Sequence, residues 1–220
     1  MKVLRNCILM LLLLTAISCD KKKKAFKVFN EGVSFSLAAI HEQEDGNAEK
    51  ASKLNKQAIE KFRETLKIDS NYKGARSALG HSFFLAREFE KAIYWFEQAN
   101  KKDAPMAVNF QELGLSKINL GEIKEGQEEI EKAFKLDRSK EIRDLTTDDL
   151  LDIGTLAFGY GKDYINNGEK EKGISYQQFA VNVLIMAYGI DNNRHDISGK
   201  IVEYADELKD KVIADKYRTQ

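Results

Sequence analysis

At 220 residues, 43% apolar and 32% charged with a single proline, the chain is long enough for a sizeable core and has the composition of a helix-rich soluble protein. Its 35 Lys and Arg balance its 35 Asp and Glu, which leaves no basic field to draw in nucleic acid. Losing Lys2 and Arg5 with a leader would leave 33 against 35, a net charge of about −2.

The first 18 residues read as an export signal: Lys2 and Arg5, the apolar run Ile8 to Leu14, then a small-residue cleavage pattern. From Cys7 to Cys19 the run is 13 residues, short of the roughly 20 that a bilayer span needs. The tail Ala16-Ile17-Ser18-Cys19 resembles a bacterial lipobox, with Ala16 standing where leucine is usual. That resemblance implies a lipid on Cys19, which would become the first residue of the mature chain. Cys7 would leave with the leader, so no disulfide is expected and stability must come from packing. Residues 19–25, with Asp20 and Lys21 to Lys24, are then expected to form a short solvated basic tether. Asp20 resembles the inner-membrane retention signal of enteric lipoproteins, and both membranes stay open as destinations.

Beyond the tether the chain repeats itself every 34 residues. Ala58, Ala92 and Gly126 share that spacing, as do Phe62, Phe96 and Ile130, and Asp69, Asp103 and Asp137. Such a period predicts stacked helical hairpins, each too small to bury its apolar face alone. A first unit near 26–72 has its opening helix displaced to about Phe26–His41 by a polar loop around Glu42–Lys50. The clearest unit is 73–106, with Gly80, Phe83, Ala92, Phe96 and Ala99, and Pro105 at its end. The next, 107–140, has Gly114, Gly126, Ile130 and Ala133, with Lys117 where an aromatic would be expected. A linker at Arg138–Asp149 leads to a divergent unit at 147–190, its first helix capped by Thr147. A single amphipathic helix at 196–218 closes the array.

The order Leu79-Gly80, Phe83, Ala92, Phe96, Ala99 and Pro105 resembles the tetratricopeptide repeat (TPR). The resemblance covers about 26–190 and implies an all-α, right-handed superhelical solenoid. Gly80, Ala92, Gly114 and Gly126 would be contact points between helices, with Phe83, Phe96, Ala99 and Ala133 packing around them. It also implies a partner groove lined by the first helix of each hairpin: Ser77, His81, Phe84 and Leu85, then Gln111, Leu115 and Ile118, then Phe158, Lys162 and Ile165. One lysine and no arginine in that set argue against a clamp for acidic C-terminal peptides, and favour an amphipathic helix or an extended apolar segment.

Other motifs fail on spacing. His41, Glu42, Glu44 and Asp45 fall in a segment read as a polar loop, where no helical ligand pair for a metal is expected. The stretch Asp191, Asn193 and Asp196 lacks the glycine and the distal glutamate of a calcium loop. Gly154, Gly159, Gly161 and Lys162 do not form a phosphate loop, and His81 and His195 have no local nucleophile motif. No catalytic residue, metal or cofactor is assigned, and no nucleic acid or small-molecule substrate is expected. The reading is an envelope lipoprotein that acts as an adaptor or scaffold for protein partners. The alternatives are a structural subunit of an envelope assembly, secretion or pilus machine and, more remotely, an enzyme or ligand-binding module in 138–195.

Overall fold

A computed structural model describes the backbone of residues 2–218 and the side chains of residues 20–218. The side chains of the leader and Cys19, and the lipid attachment expected there, lie outside the described residues. Ten helices occur among the described residues: α1 (Lys2–Glu44), α2 (Ala48–Ile68), α3 (Ala75–Leu85), α4 (Phe89–Lys102), α5 (Ala107–Asn119), α6 (Ile123–Leu136), α7 (Lys140–Asn166), α8 (Lys170–Ile190), α9 (His195–Glu207) and α10 (Lys211–Arg218). The chain divides into two compact units, Met1–Pro105 and Met106–Gln220. In the first, α1 pairs with α2 and α3 with α4, and α2 packs on α3. In the second, α5 pairs with α6, α7 with α8 and α9 with α10, while α8 packs on α9.

One contact recurs in four hairpins and explains their shared form. A glycine on the first helix faces a large side chain on the second, close enough that no β-carbon fits between. A β-carbon on Gly32 would stand 2.7 Å from the Phe62 ring, one on Gly80 2.6 Å from Phe96, one on Gly114 2.8 Å from Ile130, and one on Gly161 2.6 Å from Gln177. Phe62 and Phe96 are almost fully buried. Each such ring contributes roughly 1.5–3 kcal/mol from lost apolar surface alone. In two hairpins the helices also meet backbone to backbone, through Gly114 with Gly126 and through Gly161 with Gly173. Small residues at the crossing thus set the interhelical distance, and large ones fill the space beside it.

The aspartates of the 34-residue period stand at helix exits. Asp69, Asp103 and Asp137 follow α2, α4 and α6 in extended backbone, and each amide donates back into the last turn. Asp191 does the same after α8. The carboxylates of Asp69, Asp137 and Asp191 accept from the amides two residues on, at 3.0, 2.8 and 3.0 Å, which turns the chain away from the helix axis. Asp103 instead faces Arg76 at 3.7 Å.

Several boundaries differ from expectation. The tether residues Asp20–Lys24 are exposed turns of α1, and packing begins at the fully buried Ala25. The polar segment 42–50 is mostly helical, reduced to a tight turn around Gly46 that Glu42 spans by accepting from Asn47 (2.9 Å) and pairing with Lys50 (2.5 Å). Helix α7 starts at Lys140, where a linker was expected, and Ser139 caps it by accepting from the Ile142 amide. Thr147, expected as the cap, is buried inside α7 and donates to the Asp144 carbonyl (2.9 Å). The closing helix is two helices, α9 and α10, because the chain turns at Lys209 in left-handed backbone. Lys117 replaces an aromatic by pairing with Glu129 of α6 at 3.1 Å. Burial pushes the Glu129 carboxyl up, but Lys132 and Lys117 together hold it below its ordinary range.

Candidate functional site

In the first unit, α3 presents Ser77, His81, Phe84 and Leu85. Ser77 and His81 are half-buried and engaged with neighbouring groups. Phe84 is half-buried and meets the edge of Phe89 at 6.1 Å. Leu85, at the last turn of α3, is 42% exposed. It overhangs a cavity of about 390 Å³, at the small end of the roughly 300–1,000 Å³ typical of binding pockets. The walls are Ala39 and Ile40 of α1, Ala51, Asn55 and Ile59 of α2, and Leu85 itself. Lys56, Arg87, Glu44 and Glu88 stand around them. This cavity opens where the α1–α2 and α3–α4 turns come together, and of the expected groove residues only Leu85 borders it.

Asn55 is the one polar residue held deep in those walls, with only 6% of its surface exposed. Its Nδ2 donates to the Ser82 carbonyl at 2.7 Å. Its Oδ1 is buried without a partner from the protein. Leaving such an acceptor unpaired costs about 1–3 kcal/mol.

In the second unit the expected groove lining is mostly interior. Leu115 and Ile118 of α5 are fully buried, as is Phe158 of α7 apart from 1% of its surface. These three are therefore core side chains and cannot line a surface groove. Ile118 and Ile165 lie against Gly126 and Gly173, inside their own hairpins. The reason for Phe158 is α9, which runs parallel to α7 and covers it. Arg194 meets Asp148 (2.6 Å), Tyr204 stacks on Phe158 (3.7 Å between ring centres) and Glu207 meets Lys162 (2.9 Å). Lys162 is thereby tied to the covering helix, although it stays partly exposed.

Gln111, also buried, donates through Nε2 to Asp149 of α7 at 3.0 Å. Burial pushes the Asp149 carboxyl up to about 6, helped by Glu112, Asp152 and Asp148, against the lowering effect of the Gln111 hydrogen bond. No group of three or more His, Cys, Asp or Glu among the described residues is placed to hold a metal. No helix among them is long and apolar enough to cross a membrane.

Of the residues expected to meet a partner, the structure brings Leu85 alone to an open apolar cavity. The other walls, on α1 and α2, were not foreseen, because the repeat resemblance assigns no groove residue ahead of α3. Ile40, Ala51 and Ile59 carried a signal in their helical spacing; Asn55 carried none.

These features define an all-α protein built of paired helical hairpins. No protein-family model matches the chain, and no curated protein matches it. Among solved structures it is similar to MamA, at 18% identity over 77% of this chain and 88% of that one, with a TM-score of 0.46. It is also similar to YrrB, a TPR protein with an unusual peptide-binding site, at 15% identity over 90% and 88% of the two chains, with a TM-score of 0.41. A third similarity is to the APC/C hetero-tetramer Cut9–Hcn1, at 14% identity and a TM-score of 0.41, where 89% of this chain spans 42% of that one.

Proposed function

We propose that the chain is an adaptor that holds protein partners at a bacterial envelope membrane, anchored by a lipid on Cys19. The observation that carries the adaptor reading is the open apolar cavity under Leu85, walled by the α1–α2 hairpin and the end of α3. An exposed apolar side chain beside a concave apolar surface is a normal anchor point for a helix or peptide. The lipid reading rests on the lipobox-like Ala16-Ile17-Ser18-Cys19. A lipidated base would raise the local concentration of partners without any new contact.

Two variants test this in the native cells. Labelled palmitate should be incorporated into the parent chain and not into Cys19→Ser, which should move to the soluble fraction. Crosslinking followed by mass spectrometry should capture partners on the parent chain. Leu85→Glu should lose them while its circular dichroism is unchanged, because Leu85 is exposed. Partners retained in full by Leu85→Glu would place the interaction elsewhere, and no partner on either protein would overturn the adaptor reading.

A further inference from the structure

Each hairpin turn holds one residue in left-handed backbone. In three turns it is glycine: Gly46 (φ 79°), Gly121 (φ 88°) and Gly168 (φ 88°). Between α3 and α4 it is Arg87 (φ 58°), and between α9 and α10 it is Lys209 (φ 62°). A β-carbon crowds the backbone in this region, so a side chain held there carries a local cost that glycine avoids. Arg87 is the one of these two whose side chain borders the Leu85 cavity. Lys56 borders it from α2. Neither Arg87 nor Lys56 makes an ion pair among the described residues. Of the two acids nearby, Glu88 is bonded to Lys91 and Glu44 stands 4.0 Å from His41.

We propose that this cavity takes one large apolar side chain of a partner peptide whose flanking residues are acidic. This inference rests on the adaptor reading and gives the partner's chemistry. The apolar side chain would seat against Ile40, Ile59 and Leu85. Lys56 and Arg87 would meet acids on either side of it. The charge pattern selects the occupant: with Glu88 held by Lys91, the cations Lys56 and Arg87 outnumber the remaining acid, Glu44, so a peptide with basic flanks would meet net repulsion.

The test uses the full chain and two pools of fluorescent nonapeptides, read by anisotropy. Both pools carry Leu, Met or Phe at the centre; one is flanked by Asp and Glu, the other by Lys and Arg. The acidic pool should bind roughly tenfold more tightly, and more weakly as salt is raised. Arg87→Gly and Lys56→Ser should each weaken acidic binding by roughly three- to fivefold. Arg87→Gly should do so without lowering the melting temperature, since glycine is at ease in that backbone, and a purely structural arginine would not give that pair of results. Equal binding of the two pools would overturn the proposal, as would an Arg87→Gly variant that binds like its parent. Crosslinked partners lost in Leu85→Glu, together with equal binding of the two pools, would leave the adaptor standing and remove only the acidic-peptide assignment.

Discussion

Replacing Gly161 with alanine should destabilise the chain by about 1–3 kcal/mol, and the same change at Gly159 should stabilise it by roughly 0.5–1 kcal/mol. The two positions are two residues apart in α7. Alanine is the better helix former at both, by about 1 kcal/mol. At Gly159 nothing lies within 4 Å of the added carbon, so that gain is kept. At Gly161 the carbon would stand 2.7 Å from the Gly173 carbonyl oxygen and 2.6 Å from the Gln177 side chain. A side chain can rotate away, but a carbonyl inside a helix cannot, so α7 and α8 must separate. Overpacking then outweighs propensity. Gly114→Ala should behave like Gly161→Ala, since its carbon would meet the Gly126 carbonyl at 2.5 Å. Urea unfolding reads all three. Destabilisation at Gly159 equal to that at Gly161 would mean that helix crossing does not set these costs.

That same crossing makes the repeat legible in the amino-acid order. Gly80 with Phe96 and Gly114 with Ile130 keep their 34-residue spacing because both helices and the turn between them keep their lengths. The first hairpin uses the same contact, Gly32 on Phe62, but its opening helix runs on to Glu44, so Gly32 falls out of period while Phe62 keeps it. The fourth is displaced because α7 is 27 residues long against 13 for α5, which puts Gly161 well beyond 34 residues after Gly114. Thr147, Asp148 and Asp149 mimic a helix start, yet α5 and α9 give them other partners: Gln111 bonds Asp149, and Arg194 bonds Asp148 and Thr147. Periodicity also cannot say which apolar face is covered. Phe84 and Ile118 stand 34 residues apart, at the same position of their repeats, and only packing makes Ile118 core and leaves Phe84 half-buried. The break at Lys209 had no glycine or proline to announce it.

Asp149→Asn should stabilise the chain at pH 8 by about 1–3 kcal/mol and change nothing near pH 4. Burial, together with Glu112, Asp152 and Asp148, raises the folded-state carboxyl to about 6, above its ordinary 3.8. The folded chain therefore holds this proton more tightly than the unfolded chain does. Below the unfolded value both states are protonated and Asp149 costs nothing. As the pH rises from about 4 to about 6, the unfolded state releases its proton first, and the folded state loses stability across that window. Above it the full cost of the buried carboxylate remains, at most about 3 kcal/mol for a gap of this size. Asparagine has nearly the same shape, keeps an oxygen to accept from Gln111, and carries no charge. Carboxylates whose values are lowered, such as Asp137, Asp191 and Asp196, act in the opposite direction on the whole chain. The informative quantity is therefore the difference between variant and parent, which cancels their effect. Unfolding free energies at closely spaced pH values should show that difference growing between about pH 4 and 6 and level above. A variant weaker than its parent by the same amount at every pH would mean that the carboxylate's hydrogen bond, and not its charge, decides the stability of the α5–α7 contact.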